Sequence, residues 1–590
     1  MNNFFEKAIN HLYKHRILWS FLAVFTVSLF DAIYYFLSEE KLFYVDTDCY
    51  TRALRIIDWL QHFQWAEKIF PYSNVPDGFV LHFTRINDMI WVALSLPFML
   101  FEPLKEAIFH GGFFFSPLFL FLSLCAFFWG IQPYIIKFEK TAVSFALVFI
   151  TTLLFCYKLT NIFDFFRPDH HSVMFFIFCF NIAVILRFLN NTKENYFLFA
   201  GSTCGLGFWF SSAIEGILST AIILAILCFN WLYGTLKSKH LIAFNLGLFI
   251  SITFAWLINP PYGGFSVLDN SRLSIIHVVL TALMLLAFIS LKKADSTTPA
   301  RKIIYLNGCG IIVILLIFMI FESDTLLKPI YHEKMHTIYL PYITEMQPIY
   351  KTPFAYYYQI ISWILGILLV CYLLYQSKSQ KIRHLNLALL TFFTIPLGFA
   401  AVRLYLYYIA VFLYLNGCII FSWMALSSKF TKYRYAIFFY LAANVFFLTS
   451  FQSVSHPQKI PHVTEKIENL ATDYNISPQF CWDLDVKTLA TPYHTDETGL
   501  IDNHKLFFSS DEDEIKNILQ QHQIKYIYLP KTEFNDNKTS YRSDYYIEPE
   551  KNTDKFYGKI MTGQQIYNWL EVVPTNLENS SIYKVKYDLF

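Results

Sequence analysis

The chain has 590 residues, of which 55% are hydrophobic, 19% aromatic and only 15% charged. Charged residues make up about a quarter of a soluble globular protein, so this composition excludes an ordinary soluble enzyme and indicates a polytopic membrane protein. The formal net charge of +2 is close to neutral and argues against nucleic acid as a partner. Eight of the ten cysteines fall inside apolar runs, all except Cys49 and Cys481, so we expect no disulfide framework.

Apolar stretches of about the length needed to cross a bilayer recur through the first 451 residues. We predict about thirteen transmembrane helices. They lie near residues 17–37, 113–132, 141–158, 173–189, 196–209, 213–233, 241–258, 275–291, 303–322, 359–376, 384–402, 404–426 and 435–451. Lys and Arg cluster in every second connection, which places those connections in the cytoplasm and the tail outside. The first span has basic flanks and no small-residue cleavage site, which predicts an uncleaved signal anchor.

The predicted domains follow from this topology. Residues 1–451 form a transmembrane domain, and residues 452–590 form a soluble domain on the non-cytoplasmic side. The external loops of the first domain are 38–112, 159–172, 259–274 and 323–358. An apolar run at 89–101 would reverse every later loop if it crossed the membrane, so we predict a short helix within the first loop.

The tail differs in composition from the rest of the chain. The run DEDEIKNILQQHQ, from Asp511, is typical of a helix, and IKYIYLP, from Ile524, is typical of a strand, which together predict a small α/β domain. His494, Asp496 and His504 lie in the polar stretch before them, which could contact substrate or form a surface loop, and we favour the surface loop.

Acidic side chains follow the first span in the sequence YVDTDCYTRALR, which contains Asp46 and Asp48. Two carboxylates one residue apart can supply oxygen ligands to a divalent cation. The same pair is also common in solvated loops.

The second external loop contains FDFFRPDHHSV, with Asp169, His170 and His171, and the fourth contains Glu345 in an otherwise uncharged run. Taken singly, Asp169 could cap a helix, the histidines could lie in the headgroup region, and Glu345 could be a surface acid. Taken together on one outer face, these side chains form a reasonable ligand set for a divalent metal. Imidazole ligands shift the preference from Mg²⁺ towards Mn²⁺ or another transition metal.

The order of four motifs resembles that of the catalytic subunits of oligosaccharyltransferases, membrane glycosyltransferases of the GT-C superfamily. DCYTRALRIIDWL, with Asp48, resembles the family's first-loop motif, and PDHH resembles its second-loop acidic motif. ITEMQP, with Glu345, is similar to a later Glu-containing loop, and AVRLYLYYIAVFL, with Arg403, to a helix that faces the donor's phosphate. This sequence has His171 where the family has a second acid, and the tail lacks the WWDYG motif linked to acceptor recognition.

The resemblance implies a GT-C fold and a set of site residues. Asp48 and Glu345 would be catalytic, Asp48, Asp169, His171 and Glu345 would bind Mn²⁺ or Mg²⁺, and Arg403 and His170 would bind substrate. Arg403 could instead anchor its helix at the interface by snorkelling.

The function implied is inverting, metal-dependent transfer of a sugar or oligosaccharide from a polyprenyl-(pyro)phosphate donor. The acceptor is a protein, a lipid or a glycan on the non-cytoplasmic face. Two alternatives stay open: a polyprenyl-phosphate-sugar-dependent transferase that modifies a lipid or envelope glycan, and a transporter of a lipid-linked sugar. We expect the bacterial inner membrane as the location, with the active site and the tail on the periplasmic side.

Overall fold

A computed structural model describes most of the chain in separate ranges. These ranges, with short gaps inside some of them, are 42–63, 69–81, 84–135, 163–188, 193–211, 214–269, 272–321, 381–400, 460–530, 552–575 and 580–590, together with isolated positions elsewhere. Glu345, Arg403 and His494 lie outside the described residues.

The segment after the first predicted span folds into a layer of short elements, which we call the outer segment. It comprises α1 (Thr47–His62), β1 (Ile69–Phe70), β2 (Phe79–Val80), α2 (Arg85–Ser95) and α3 (Leu104–Gly112). The side chain of Asp46 caps α1 by accepting a hydrogen bond from the backbone N–H of Asp48 at 3.1 Å. The helix predicted within this loop is present as α2, which begins four residues earlier than expected.

Eight longer helices form an apolar bundle among the described residues. They are α4 (Phe115–Ile135), α5 (His170–Phe188), α6 (Glu194–Phe210), α7 (Ile214–Leu232), α8 (Ser238–Ile258), α9 (Ile275–Ser290), α10 (Pro299–Ile320) and α11 (Lys381–Ala400). Five described stretches are long and apolar enough to cross a membrane, the first of them running from Leu104 through α3 and most of α4. The chain is therefore an integral membrane protein. The spans predicted at 141–158, 359–376 and 435–451 lie outside the described residues, and the total of about thirteen stays a prediction.

Two pairs of packed helices in the bundle run parallel. Helices α4 and α5 do so, because Ser116 contacts Ser172 near one end and Trp129 stacks on Phe180 further along. Helices α6 and α8 also run parallel and pack closely. A Cβ atom on Gly201 would lie 1.8 Å from the carbonyl oxygen of Phe244, so only glycine permits this approach.

The two ends of the bundle differ in charge. At one end the basic connections meet: Lys239 pairs with Glu194 at 2.9 Å, and Lys302 donates to the carbonyl of Trp231 at 2.9 Å. The outer segment lies at the opposite end, where Arg85 donates its backbone N–H to Asn259 at the end of α8. The positive-inside rule predicts that the basic end faces the cytoplasm.

The tail contains a five-stranded sheet in the order β4-β3-β5-β7-β6. Its strands are β3 (Asn469–Ala471), β4 (Lys487–Thr488), β5 (Tyr526–Pro530), β6 (Leu570–Val573) and β7 (Ser580–Val585). Strands β4, β3 and β5 are parallel, whereas β7 is antiparallel to both of its neighbours. Helices α12 (Ser477–Leu484), α13 (Glu497–Phe508), α14 (Glu512–Gln521) and α15 (Phe556–Met561) complete an α/β domain, as the sequence predicted.

Two predictions for the tail have different outcomes. The predicted helix and strand are present as α14 and β5. The predicted surface loop is wrong, because its second half forms α13 and Asp496 is completely buried. Burial raises the pKa of Asp496 to about 7, against hydrogen bonds from Ser73 and Thr491 that lower it.

The outer segment and the tail are joined by backbone hydrogen bonds. Thr488 in β4 donates its N–H to the carbonyl of Tyr72 at 2.8 Å, and Asn74 donates to the carbonyl of Leu489 at 3.2 Å. Residues 72–74 thus lie against the edge strand of the sheet like an added strand.

Candidate active site

The second predicted loop ends in a tight turn that leads into α5. The side chain of Asp164 accepts the N–H of Phe166 at 2.8 Å, and Ser172 donates from its side chain to the carbonyl of Asp169 at 2.7 Å. Because α5 begins at His170, both histidines lie in its first helical turn and not in a loop, as the predicted boundary at residue 172 implied. Asp169 directly precedes the first residue of α5, which is the capping position of a helix. Its position is therefore compatible with both alternatives, a helix cap and a metal ligand.

Ion pairs join this turn to α1. Arg52 donates from one terminal nitrogen to Oδ1 of Asp169 at 2.7 Å and from the other to Nδ1 of His170 at 2.9 Å. Arg167 reaches back to Asp46 at 3.0 Å and also lies 3.5 Å from Asp169. Each segment therefore supplies one arginine that pairs with a carboxylate of the other segment. We call this set, Asp46, Arg52, Arg167, Asp169 and the two histidines, the α1–α5 junction.

Asp169 is the centre of the junction. Its side chain is only 3% exposed. Burial raises the pKa of Asp169, but the neighbouring His171, Arg52 and His170 lower it further, so the pKa lies well below its usual range. The carboxylate is therefore ionised at neutral pH.

Asp169, His170 and His171 each offer a ligand atom, and these atoms lie within 4.8 Å of one another. Oδ2 of Asp169 and Nε2 of His171 are 3.6 Å apart. Two donors that bind one ion at about 2.1 Å each lie about 3 to 4 Å apart, so this pair fits a shared divalent cation. His170 differs, because its Nδ1 already has two partners, Oδ1 of Asp169 at 2.7 Å and a terminal nitrogen of Arg52 at 2.9 Å.

Asp48 lies in the first turn of α1, four residues before Arg52, so both project from one face of the helix. The structure thus places the helix that carries Asp48 directly against Asp169 and the two histidines. Glu345 and Arg403 lie outside the described residues, and their roles stay predictions.

The sequence motifs contain Arg52 and Arg167, but sequence reasoning assigned no role to either, and it missed Tyr493. The hydroxyl of Tyr493, in the tail, donates to the backbone carbonyl of Asp48 at 3.1 Å. Arg52 carried a local signal, since it follows Asp48 by one helical turn, whereas nothing in the tail sequence pointed to Tyr493.

A buried turn follows β3, where residues 471–475 read ATDYN. Asp473 accepts the N–H of Asn475 at 2.9 Å, and both Asp473 and Tyr474 are buried. Trp482 in α12 packs against Tyr50 of α1, which adds a contact between the tail and the helix that bears Asp48.

A membrane bundle, an acidic and histidine-containing site where the start of α5 meets the outer segment, and a carboxyl-terminal α/β domain define an oligosaccharyltransferase-like fold of the GT-C type. Solved structures of an archaeal oligosaccharyltransferase confirm the resemblance. The apo enzyme from Archaeoglobus fulgidus superimposes with a TM-score of 0.63 at 12% identity, over 88% of this chain and 69% of that chain. The same organism's AglB, in complex with an inhibitory peptide and a dolichol-phosphate, gives a TM-score of 0.62 at 13% identity, over 88% of this chain and 70% of that chain.

A third structure of the Archaeoglobus fulgidus enzyme, a complex with Zn and sulfate, gives a TM-score of 0.56 at 14% identity. It covers 87% of this chain and 67% of that chain. No protein-family model matches the chain, and no curated protein matches it by sequence.

Proposed function

We propose that the chain is an inverting, metal-dependent membrane glycosyltransferase that acts on its non-cytoplasmic face. It moves a sugar or oligosaccharide from a polyprenyl-(pyro)phosphate donor to an acceptor. The observation that carries this proposal is the α1–α5 junction, where an ionised, buried Asp169 faces His171 beside the helix that bears Asp48. The oligosaccharyltransferase-like fold supports the same reaction class.

The ligands that we propose for the ion, Mn²⁺ or Mg²⁺, are Asp48, Asp169, His171 and Glu345. When bound, the ion supplies Lewis-acid stabilisation of the phosphate that leaves the sugar. His171 and Arg52 together lower the pKa of Asp169. Arg52 binds Oδ1, whereas Oδ2 lies 3.6 Å from Nε2 of His171 and 3.5 Å from Arg167. In this proposal Asp48 also orients the acceptor nucleophile.

Donor binding is assigned to two further residues. We propose that Arg403 clamps the phosphate of the donor and that His170, with Nδ1 held by Arg52, faces the substrate through the rest of its ring. The Archaeoglobus fulgidus enzyme has been solved with a dolichol-phosphate, which supports a polyprenyl-linked donor for this chain too.

The acceptor class depends on the tail. The Archaeoglobus fulgidus enzyme has also been solved with a tethered acceptor peptide that contains an NVT sequon, which supports a protein acceptor. The tail of this chain lacks the WWDYG motif, and that departure favours the alternative of a lipid or envelope glycan.

A transporter is the less favoured alternative. Transporters carry polar binding groups near mid-membrane, often in broken helices. In the described spans the charged residues lie at the helix ends, as Arg187 does in α5 and Lys239 does in α8. The charge of the site is instead gathered at the outer end of the bundle.

The test is mass spectrometry of glycopeptides and envelope glycolipids from cells that carry the wild-type chain, Asp48→Ala or Asp169→Ala. Asp77→Ala, an exposed acid of the same outer segment, is the matched control and should behave as wild type. Loss of a protein-linked glycan supports a protein acceptor, and loss of a sugar from a lipid or polysaccharide supports an envelope acceptor. If both site variants leave all glycans unchanged, the proposed enzyme is refuted.

A further inference from the structure

Tyr493 brings the carboxyl-terminal domain into the site. It lies in the loop between β4 and α13, and only 2% of it is exposed. Its ring stacks on Phe79 of the outer segment, with centroids 6.3 Å apart and an interplanar angle of 28°. Its hydroxyl donates to the backbone carbonyl of Asp48 at 3.1 Å.

The loop that carries Tyr493 is itself held at two points. Asp496 donates its N–H to the carbonyl of Tyr493 at 2.8 Å, and its carboxylate accepts the N–H of Thr491 at 3.0 Å. The same carboxylate oxygen accepts the hydroxyl of Ser73 in the outer segment. The position of the phenol is therefore set by the tail and the outer segment together, and it is not the free end of a flexible loop.

The carbonyl of Asp48 belongs to the first turn of α1. In an α-helix this carbonyl accepts the N–H of residue 52, four positions later, and a carbonyl oxygen has a second lone pair. Tyr493 uses that second lone pair. The hydroxyl of Tyr493 thus binds the helical turn that carries both Asp48 and Arg52. Arg52 in turn donates a hydrogen bond to Asp169.

We propose that Tyr493 is a positioning residue through which the carboxyl-terminal domain fixes the first turn of α1 against Asp169. The hydroxyl of Tyr493 contacts the backbone of Asp48, so it acts through Asp48 and Arg52. The inference rests on the proposed function only where metal binding is concerned, because the positioning itself is a property of the fold.

The test compares full-length Tyr493→Phe with wild type in lipid nanodiscs. Phenylalanine keeps the ring on Phe79 and removes only the hydroxyl. The matched control is Tyr587→Phe, because the hydroxyl of Tyr587 also donates to backbone carbonyls, those of Leu519 and Ile524, but entirely within the tail. Both variants lose hydroxyl hydrogen bonds to carbonyl oxygens, and only one of them touches the site.

Two readouts separate positioning from metal chemistry. Hydrogen–deuterium exchange of the α1 amides between residues 49 and 53 should rise roughly two- to tenfold in Tyr493→Phe, the range for one net hydrogen bond. The dissociation constant for Mn²⁺, measured by electron paramagnetic resonance, should rise by a similar factor. Tyr587→Phe should change neither.

If Tyr493→Phe matches Tyr587→Phe in both readouts, the positioning role is overturned. If exchange rises while wild type binds no Mn²⁺, Tyr493 positions α1 as inferred and the metal-dependent part of the proposed function fails. If wild type binds Mn²⁺ and exchange in α1 stays unchanged in Tyr493→Phe, the inference fails and the proposed function stands.

Discussion

The ion pair between Arg52 and Asp169 should be the strongest single contact of the α1–α5 junction. The two side chains are 7% and 3% exposed and their atoms are 2.7 Å apart, so solvent screens the pair very little. Removing one partner of a buried pair costs about 3 to 5 kcal/mol when the other charge is left without compensation. Arg167 stays 3.5 Å from Asp169 and compensates part of its charge, so Arg52→Met should lower the free energy of unfolding by about 3 kcal/mol, the lower end of that range.

A double-mutant cycle isolates this interaction from the other contacts of each residue. Arg52→Met, Asp169→Asn and the double variant would be unfolded with denaturant in mixed micelles at pH 7. Because the double variant leaves no unpaired charge, its loss should be smaller than the sum of the single losses by about 2 to 3 kcal/mol. Losses that add within about 0.5 kcal/mol would refute the reasoning, since residues that do not interact behave in that way.

Three further predictions concern packing, pH and metal. Gly201→Leu should lower thermal stability in detergent, because its Cβ meets α8 and overpacking costs about 1 to 3 kcal/mol, whereas Gly308→Leu has open space around its Cβ and should not. Burial lowers the pKa of His522, but Asp502 and a backbone carbonyl raise it further, so the pKa lies above the ordinary value of about 6.5. The stability that protonated His522 contributes is therefore complete below about pH 6.5 and is lost as the pH rises through the raised pKa. In His522→Gln the free energy of unfolding should change less with pH over this range. Chelation with EDTA should abolish sugar transfer and Mn²⁺ should restore it in wild type but not in Asp169→Asn; activity that survives exhaustive chelation would contradict a metal-dependent reaction.

The described helices of the bundle were predictable from sequence because hydropathy alone sets their number and approximate limits. The start of α5 was not, since its first turn is polar and a hydropathy window places the boundary after His171. The surface-loop interpretation failed at Asp496 for a related reason. A polar helix start resembles a loop, and the buried Asp496 accepts a hydrogen bond from Ser73, which is 423 residues away in sequence.

The residues of the candidate site were likewise predictable only where they are close in sequence. Asp169, His170 and His171 are adjacent in sequence, so their chemistry could be recognised as a local pattern. Arg52 and Asp169 are 117 residues apart in sequence, and Tyr493 and Asp48 are 445 apart. Neither contact could therefore be predicted from a local sequence pattern. Glu345 and Arg403 stay predictions that rest on motif order.

The contact between Tyr72 and Thr488 joins positions 416 residues apart, with most of the membrane bundle between them. A ribosome that adds about 5 to 20 residues per second needs roughly 20 to 80 s to make that stretch. During this time the outer segment is already synthesised but has no sheet edge to pair with. Completion of the site therefore waits for the synthesis of the tail, and a chain truncated before β4 would carry every described ligand of the site and still lack the support that the tail gives to α1.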